Sequence, residues 1–236
     1  MLQNTIDLVA PDGVLVDRFQ LRSAGLSPTQ IDYCVRKGKI QSVASGVYRR
    51  PGLTLKWPCM VYSLIRMGVP CHVASVSALQ HHGLADQKIV TSSEIVLARL
   101  VPFPIWLKRL DARFRSWRGR LAEGLPGSAI TSFSFGTWDW PIPISTPELA
   151  LLEYLVEIHS EPEFHLADRV FRLVDFERLK ELLIDFPHFK ARRLCFWFAK
   201  RHGFDLPPLD LGRGKIAIVK NGVFDKAFSI TVPRMD

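Results

Sequence analysis

Cysteine is scarce in this chain and poorly placed for chemistry. The four residues, Cys34, Cys59, Cys71 and Cys195, are too scattered to form a Cys-x-x-Cys pair or a Cys/His cluster with zinc spacing. They read as reduced core or near-surface thiols, and a structural disulfide is not expected. Long apolar runs are also missing. No stretch approaches the roughly 20 residues needed to cross a bilayer, and MLQNTIDLVAPDG at the start has neither the basic region nor the apolar core of a signal peptide. A cytoplasmic protein with no membrane association is therefore expected. Internal repeats and low-complexity segments are absent as well, which excludes repeat architectures.

Acid is the remaining shortfall. Against 31 Lys and Arg there are 23 Asp and Glu, a net charge of +8, so an anionic partner is favoured. All of the excess lies early. Residues 1–50 hold seven basic against four acidic side chains, residues 51–145 ten against five, and residues 146–236 fourteen of each. What is present in quantity is apolar residue: 47% of 236, enough for one large domain or two small ones with a genuine core.

The most informative stretch is LSPTQIDYCVRKGKIQSVASGVYRRP, from Leu26 to Pro51. Ser27 is a favourable N-cap, and Pro28 sits in the first turn, where a missing N–H costs nothing. Ile31, Cys34 and Val35 repeat at helical spacing and form one narrow apolar stripe, while Thr29, Gln30, Tyr33, Arg36 and Lys37 occupy the other face. Gly38 ends the helix. Lys39 to Val43 reads as a strand, Ser45 and Gly46 as a turn, and Val47 to Arg50 as the return strand carrying Arg49 and Arg50. Val14 to Ala24 supplies the preceding helix, with Val16, Phe19 and Leu21 inward and Gly25 closing the turn. Helix, turn, helix and basic hairpin make a winged helix-turn-helix, in which the second helix reads base edges in the major groove and the wing contacts phosphates. Thr29, Gln30, Tyr33, Arg36, Lys37, Lys39, Arg49 and Arg50 are the candidate DNA-binding residues. The alternative is a small structural module of the same shape.

Beyond Pro51 the pattern is mixed. Trp57 to Met67 reads as a helix, Ser75 as the cap of a short helix ending at Gly83, and Ile89 to Leu100 and Ala129 to Trp138 as strands. Thr146 caps a helix opening Pro147-Glu148, with Leu149, Leu152, Leu155, Val156 and His159 inward. Further helices cover Glu163 to Leu173, Phe176 to Ile184 and Phe189 to His202. Ile216 to Val219 and Phe228 to Val232, either side of Asn221-Gly222, read as a terminal hairpin. Phe196, Trp197, Phe198 and Phe204 read as core. The expected fold class is α+β, with a winged helix-turn-helix over residues 1–52 and a mixed α/β domain over residues 53–236.

Four segments carry a resemblance: KGKIQSVASGVYRRPG, HVASVSALQHHGL, ISTPELALLEYL and GRGKIAIVKNGVFDKAFSITVP. In that order they resemble the AbiEi family, antitoxins and autoregulators of bacterial abortive-infection type IV toxin–antitoxin pairs, over most of the chain. Gly46, Tyr48 and Arg49 match the wing, and Ser75, Ala78, Leu79, His82 and Gly83 match the helix that follows. The resemblance implies a winged helix that represses its own operon at inverted repeats in double-stranded DNA. It also implies a C-terminal domain that counteracts a toxin resembling nucleotidyltransferases, without a need to bind it. It supplies no catalytic residue. One departure is the brief start, interrupted by Pro11-Asp12-Gly13, where relatives have a longer first helix.

Catalytic readings are weaker. A nucleotidyltransferase needs Gly-Ser followed closely by paired carboxylates for two metal ions, and after Gly127-Ser128 the nearby acid is Asp139 alone. A metal-dependent nuclease wants an acid-x-Lys triplet with a companion acid; Asp86-Gln87-Lys88 is the one triplet, without an obvious companion. His81 and His82 point about 100° apart on a helix and do not readily face one ion. The expectation is a non-enzyme with no cofactor and no metal, the alternatives being a winged-helix nuclease or a protein-interaction module. Lys108, Arg109, Arg113, Arg115, Arg118 and Arg120 form a basic stretch that reads either as solvated surface or as a second nucleic-acid surface, for RNA among other ligands, with Trp106 or Trp117 stacking on bases.

Overall fold

A computed structural model describes residues 2–52, 54–86, 94–110, 113–119, 125–136 and 139–234. Their contacts divide into two compact units, Met1–His72 with Arg99–Phe114 and Ser132–Pro143, and Val73–Ala98 with Arg115–Thr131 and Ile144–Asp236. The fold class is α+β, as the sequence implies.

The first unit opens with α1 (Leu2–Val9), an element that the broken start of the chain did not lead us to expect. Ile6 and Ala10 go to the core and Leu8 to solvent. The stretch expected as one helix from Val14 divides: Leu15–Asp17 is strand β1, and α2 (Arg18–Ser23) begins only after it. The physical reason is Asp17. Its carboxylate accepts the Gln20 N–H at 2.7 Å while its own N–H donates to the Gln20 side chain at 3.0 Å, a capping box that starts the helix one residue later. Phe19, expected inward, is 76% exposed, whereas Val16 and Leu21 are fully buried. The helix then ends at Gly25, whose φ of +91° suits glycine.

Helix α3 (Pro28–Arg36) follows the sequence reading closely, as do β2 (Gln41–Ala44) and β3 (Val47–Arg49). β3 is the central strand of a three-stranded sheet ordered β1-β3-β2, antiparallel to both neighbours, with Val16 opposite Tyr48 on one side and Gln41 opposite Arg49 on the other. Behind this hairpin stands α4 (Trp57–Arg66), near its expected position. Ser63 of α4 accepts the β1 N–H of Leu15 at 2.9 Å, and Gln20 donates to the carbonyl of Arg66 at 2.9 Å. The core of the winged helix, built on Ile6, Val14, Val16, Leu21, Ile31, Cys34, Ile40 and Tyr48, includes Cys59 and Trp140, with Tyr62 stacked on Trp140 at 5.1 Å. This unit therefore extends past the boundary expected at residue 52.

Next come β4 (Cys71–Val73), α5 (Ser75–His81), β5 (Ile95–Arg99), β6 (Phe114–Ser116), β7 (Ile130–Phe135) and β8 (Trp140–Ser145), the strands forming a mixed sheet in the order β6-β5-β4-β8-β7. In the second unit β4 and β8 run parallel, Val73 beside Ile144. Helices α6 (Pro147–Glu157), α7 (Glu161–Phe171), α8 (Phe176–Asp185) and α9 (Phe189–His202) match their expected spans within two residues. α6 is the centre of this unit, buried from Glu148 to Leu155. Val156 is only half-buried, and His159, past the helix end at Glu157, is exposed, while Ile158 is fully buried. Of the expected aromatic core, Phe198 is buried, Phe196 and Trp197 are half-buried, and Phe204 is partly exposed while stacking on Phe176 at 4.4 Å.

Two further expectations are corrected here. Ser75 is not a cap: Ala74 holds that position, and Ser75 is the first helical residue, with φ +53°. Its N–H donates to Glu153 and its hydroxyl to Glu157, each at 2.8 Å, and these bonds hold a backbone conformation that a non-glycine residue rarely adopts. The C-terminal strands do not form the expected hairpin. β9 (Ile216–Ala217) lies parallel to β11 (Ile230–Val232), and the antiparallel pair is β10 (Val223–Asp225) with β11. Asn221-Gly222 therefore precedes β10 instead of joining β9 to β11. The segment is held to α9 by Arg193, 2% exposed, which donates to the carbonyls of Leu211 at 2.7 Å, Gly214 at 2.6 Å and Ser229 at 3.3 Å.

Candidate nucleic-acid interface

The candidate site starts with how α3 is closed at each end. Ser27 accepts the Gln30 N–H at 3.2 Å and donates its own N–H to the Gln30 side-chain oxygen at 2.7 Å. At the other end Gly38, φ +68°, donates to Val35 at 3.0 Å and Lys39 donates to Cys34 at 2.9 Å, the paired bonds of a Schellman motif. Nine residues at 1.5 Å rise give a rod of about 13 Å, and its diameter with side chains of about 10–12 Å is one that a major groove about 12 Å wide admits. Ile31 and Cys34 anchor one side in the core. Thr29, Tyr33, Arg36 and Lys37, spaced at i, i+4, i+7 and i+8, share the opposite side, and all four are exposed.

The eight candidates do not stand alike. Among the described residues no ion pair involves Arg36, Lys37, Lys39 or Arg49, so their cations are available to an external anion. Gln30 is exposed, but its amide oxygen is committed to the cap of α3. Arg50 is held by two acids of its own unit, Asp7 and Asp12, each at 3.3 Å. Asp32, the one acid on α3, is paired with Arg18 at 2.9 Å, which removes a local repulsion toward an anion.

Sequence reasoning missed Gln41 and Ser42. Both are exposed on the edge strand of the wing, and with Arg49 they line a cleft of about 370 Å³. Two adjacent exposed polar residues at a strand start, where alternation would turn one inward, were the available signal.

The basic stretch 108–120 divides between the two units. Lys108, Arg109 and Arg113 belong to the first unit, and Arg115 and Arg118 to the second. Lys108, Arg113 and Arg118 are exposed; the side chain of Arg109 and all of Arg120 lie outside the described residues. Arg115 is engaged within its own unit: it pairs through both terminal nitrogens with Glu157, and that hydrogen bond holds its guanidinium above the ordinary arginine pKa. Trp117 is likewise buried, donating to the carbonyl of Glu153 at 2.9 Å, so it offers no face to a base. Trp106 is half-buried under the wing.

The residues weighed for catalysis are not assembled either. Asp86 pairs with Arg169 at 3.8 Å, and Lys88 lies outside the described residues. His82 bonds the carbonyl of Ser145 at 2.8 Å, and burial with His82 alongside lowers the pKa of His81. Among the described residues no group of three or more His, Cys, Asp or Glu side chains is placed to hold a metal ion. No described helix is long and apolar enough to cross a membrane.

Comparison with known proteins bears on both units. A family model described as the transcriptional regulator AbiEi antitoxin N-terminal domain matches residues 2–88, and one described as transcriptional regulator, AbiEi antitoxin, type IV TA system matches residues 94–233. No match is found among curated proteins. The crystal structure of the RV2827C protein from Mycobacterium tuberculosis is similar in fold, with a TM-score of 0.61 at 16% identity over 98% of this chain and 89% of that one.

Proposed function

The chain belongs to the AbiEi family of transcriptional regulators and antitoxins of type IV toxin–antitoxin systems, and on that premise we propose that it binds double-stranded DNA at its own operator, represses that operon, and counteracts a nucleotidyltransferase-like toxin in the cytoplasm. The observation that carries the DNA-binding part is the exposed face of α3: Thr29, Tyr33, Arg36 and Lys37 lie opposite the buried Ile31 and Cys34. Hydroxyl and guanidinium groups on the exposed face of a helix that a major groove admits can read base edges, and Lys39 and Arg49 beside it can neutralise phosphates. Inverted repeats would be read by two copies of the chain, one per half-site. The family descriptions support the regulator and antitoxin roles over catalysis.

The test is a gel-shift titration of the full chain on the DNA upstream of its own gene and on a scrambled duplex of equal length. Tighter binding upstream is expected, and equal binding to both duplexes would sink the operator reading. Co-expression with the product of the neighbouring reading frame tests the antitoxin part. Growth restored by this chain supports it, and growth arrest that the chain does not relieve removes it.

A further inference from the structure

The sheet order β1-β3-β2 leaves β2 as the outer edge of the wing. An unbraced edge strand of four residues would hold a hairpin weakly. Here the edge is braced from more than fifty residues further along the chain. A 3-10 turn, Ile105–Arg109, lies against β2. Trp106 and Leu110 pack with Val43 and Leu55 onto the small cluster of Leu15, Ala44 and Val47 beneath the wing. The cleft that holds Arg49, Gln41 and Ser42 is completed by Leu55, Met60 and Leu110. Trp106 and Leu110 therefore face the wing, while Ile105, Lys108 within the turn and Arg113 just beyond it are exposed, the two cations with no ion pair among the described residues.

We propose that this segment is a second arm of the DNA grip: Arg49 holds a backbone phosphate at the mouth of the cleft, and Lys108 and Arg113 meet the phosphates that follow on the outer side of the wing. The partner is the sugar–phosphate backbone flanking the groove that α3 enters, so the contacts are independent of sequence. The inference rests on the DNA-binding reading and adds to it a longer footprint on the wing side. It also divides the basic stretch 108–120: Lys108 and Arg113 bind DNA, and Arg115, locked to Glu157, does not.

Each cation that neutralises one phosphate releases counterions and steepens the salt dependence by roughly 0.9 in the log–log slope. The experiment measures the affinity of the full chain for a random duplex of about 30 base pairs from about 50 to 250 mM KCl. The Arg49→Ala variant should flatten the slope by roughly one unit and the Lys108→Ala/Arg113→Ala variant by roughly two. Thermal melting should be unchanged, and Lys108→Arg/Arg113→Lys should restore the slope. A double-alanine slope equal to wild type, with the Arg49→Ala slope reduced, overturns the second arm and leaves the DNA reading standing. No duplex binding by the wild-type chain at the lowest salt overturns both.

Discussion

At the residue scale, Gln30 and Arg36 lie six positions apart on one helix and do different work. Because the Gln30 side chain closes the cap of α3 with Ser27, Gln30→Ala should cost about 1 kcal/mol of stability, visible as a lowered melting temperature. Gln30→Glu keeps the capping box and should melt close to wild type. Arg36 has no such partner. Its alanine variant should melt as wild type and lose roughly 1 to 3 kcal/mol of discrimination between operator and scrambled DNA in a gel-shift titration. Equal losses on the two duplexes would show that Arg36 meets phosphate and reads no base. The thiols are a second residue-scale case. All four cysteines are buried, and burial pushes Cys71 up to about 12 from its ordinary 9.0, with Arg99 opposing. The native thiol stays protonated where the unfolded one ionises, so this contribution to stability is complete below pH 9 and is lost as pH rises toward 12. Ellman's reagent at pH 8 should label none of the thiols in the folded chain and all four in urea. Rapid labelling of the native protein would contradict this burial.

At the element scale, the terminal strands depend on one side chain. Arg193 gives the carbonyls of Leu211, Gly214 and Ser229 their donors from a site closed to water. Arg193→Met keeps much of the apolar stem and removes every donor, leaving carbonyls unsatisfied at about 1 to 3 kcal/mol for a buried group. The expected outcome is a lower urea midpoint together with early tryptic cleavage at Lys215 or Lys220. A midpoint within error of wild type would mean that water replaces the guanidinium. The wing shows the opposite economy. Arg50 pairs with partly exposed Asp7 and Asp12, and pairs of that kind contribute little to stability. Compared with Arg49→Ala, Arg50→Ala should change both the melting temperature and the salt slope only slightly.

At the scale of the whole molecule, the unit that contains the winged helix is assembled from three separated stretches of chain. Its core takes Cys59 and Trp140, and Ser63 accepts a strand N–H of β1. A fragment of residues 1–52 should therefore be unfolded by circular dichroism, with an apolar face that its own residues cannot cover. A native-like spectrum and cooperative melting of that fragment would refute this dependence. Function is better divided by point variants than by truncation. Full-length Arg36→Ala/Arg49→Ala should lose the operator and still protect cells from the toxin, because neither side chain belongs to the second unit. Loss of protection in that variant would tie the antitoxic effect to DNA.

What could be read from the sequence is local in its physics. Ser27, Pro28 and Gly38 bound α3, Thr146 with Pro147 starts α6, and helical spacing marks α7 to α9, because caps and periodicity act within a few residues. The family resemblance was equally legible, in four short segments. Tertiary structure decided what depends on distant neighbours. It made Leu15–Asp17 a strand because Val47–Arg49 lies beside it, set β9 parallel to β11, and placed Trp106 and Leu110 under the wing. It also decided which cations remain available. Arg49 and Arg50 are adjacent and chemically identical, yet Asp7 and Asp12 approach only the second, and Glu157 reaches Arg115 from 42 residues away. Charge is a property of composition, but its availability to a partner is set by which opposite charges the fold brings within a few ångströms.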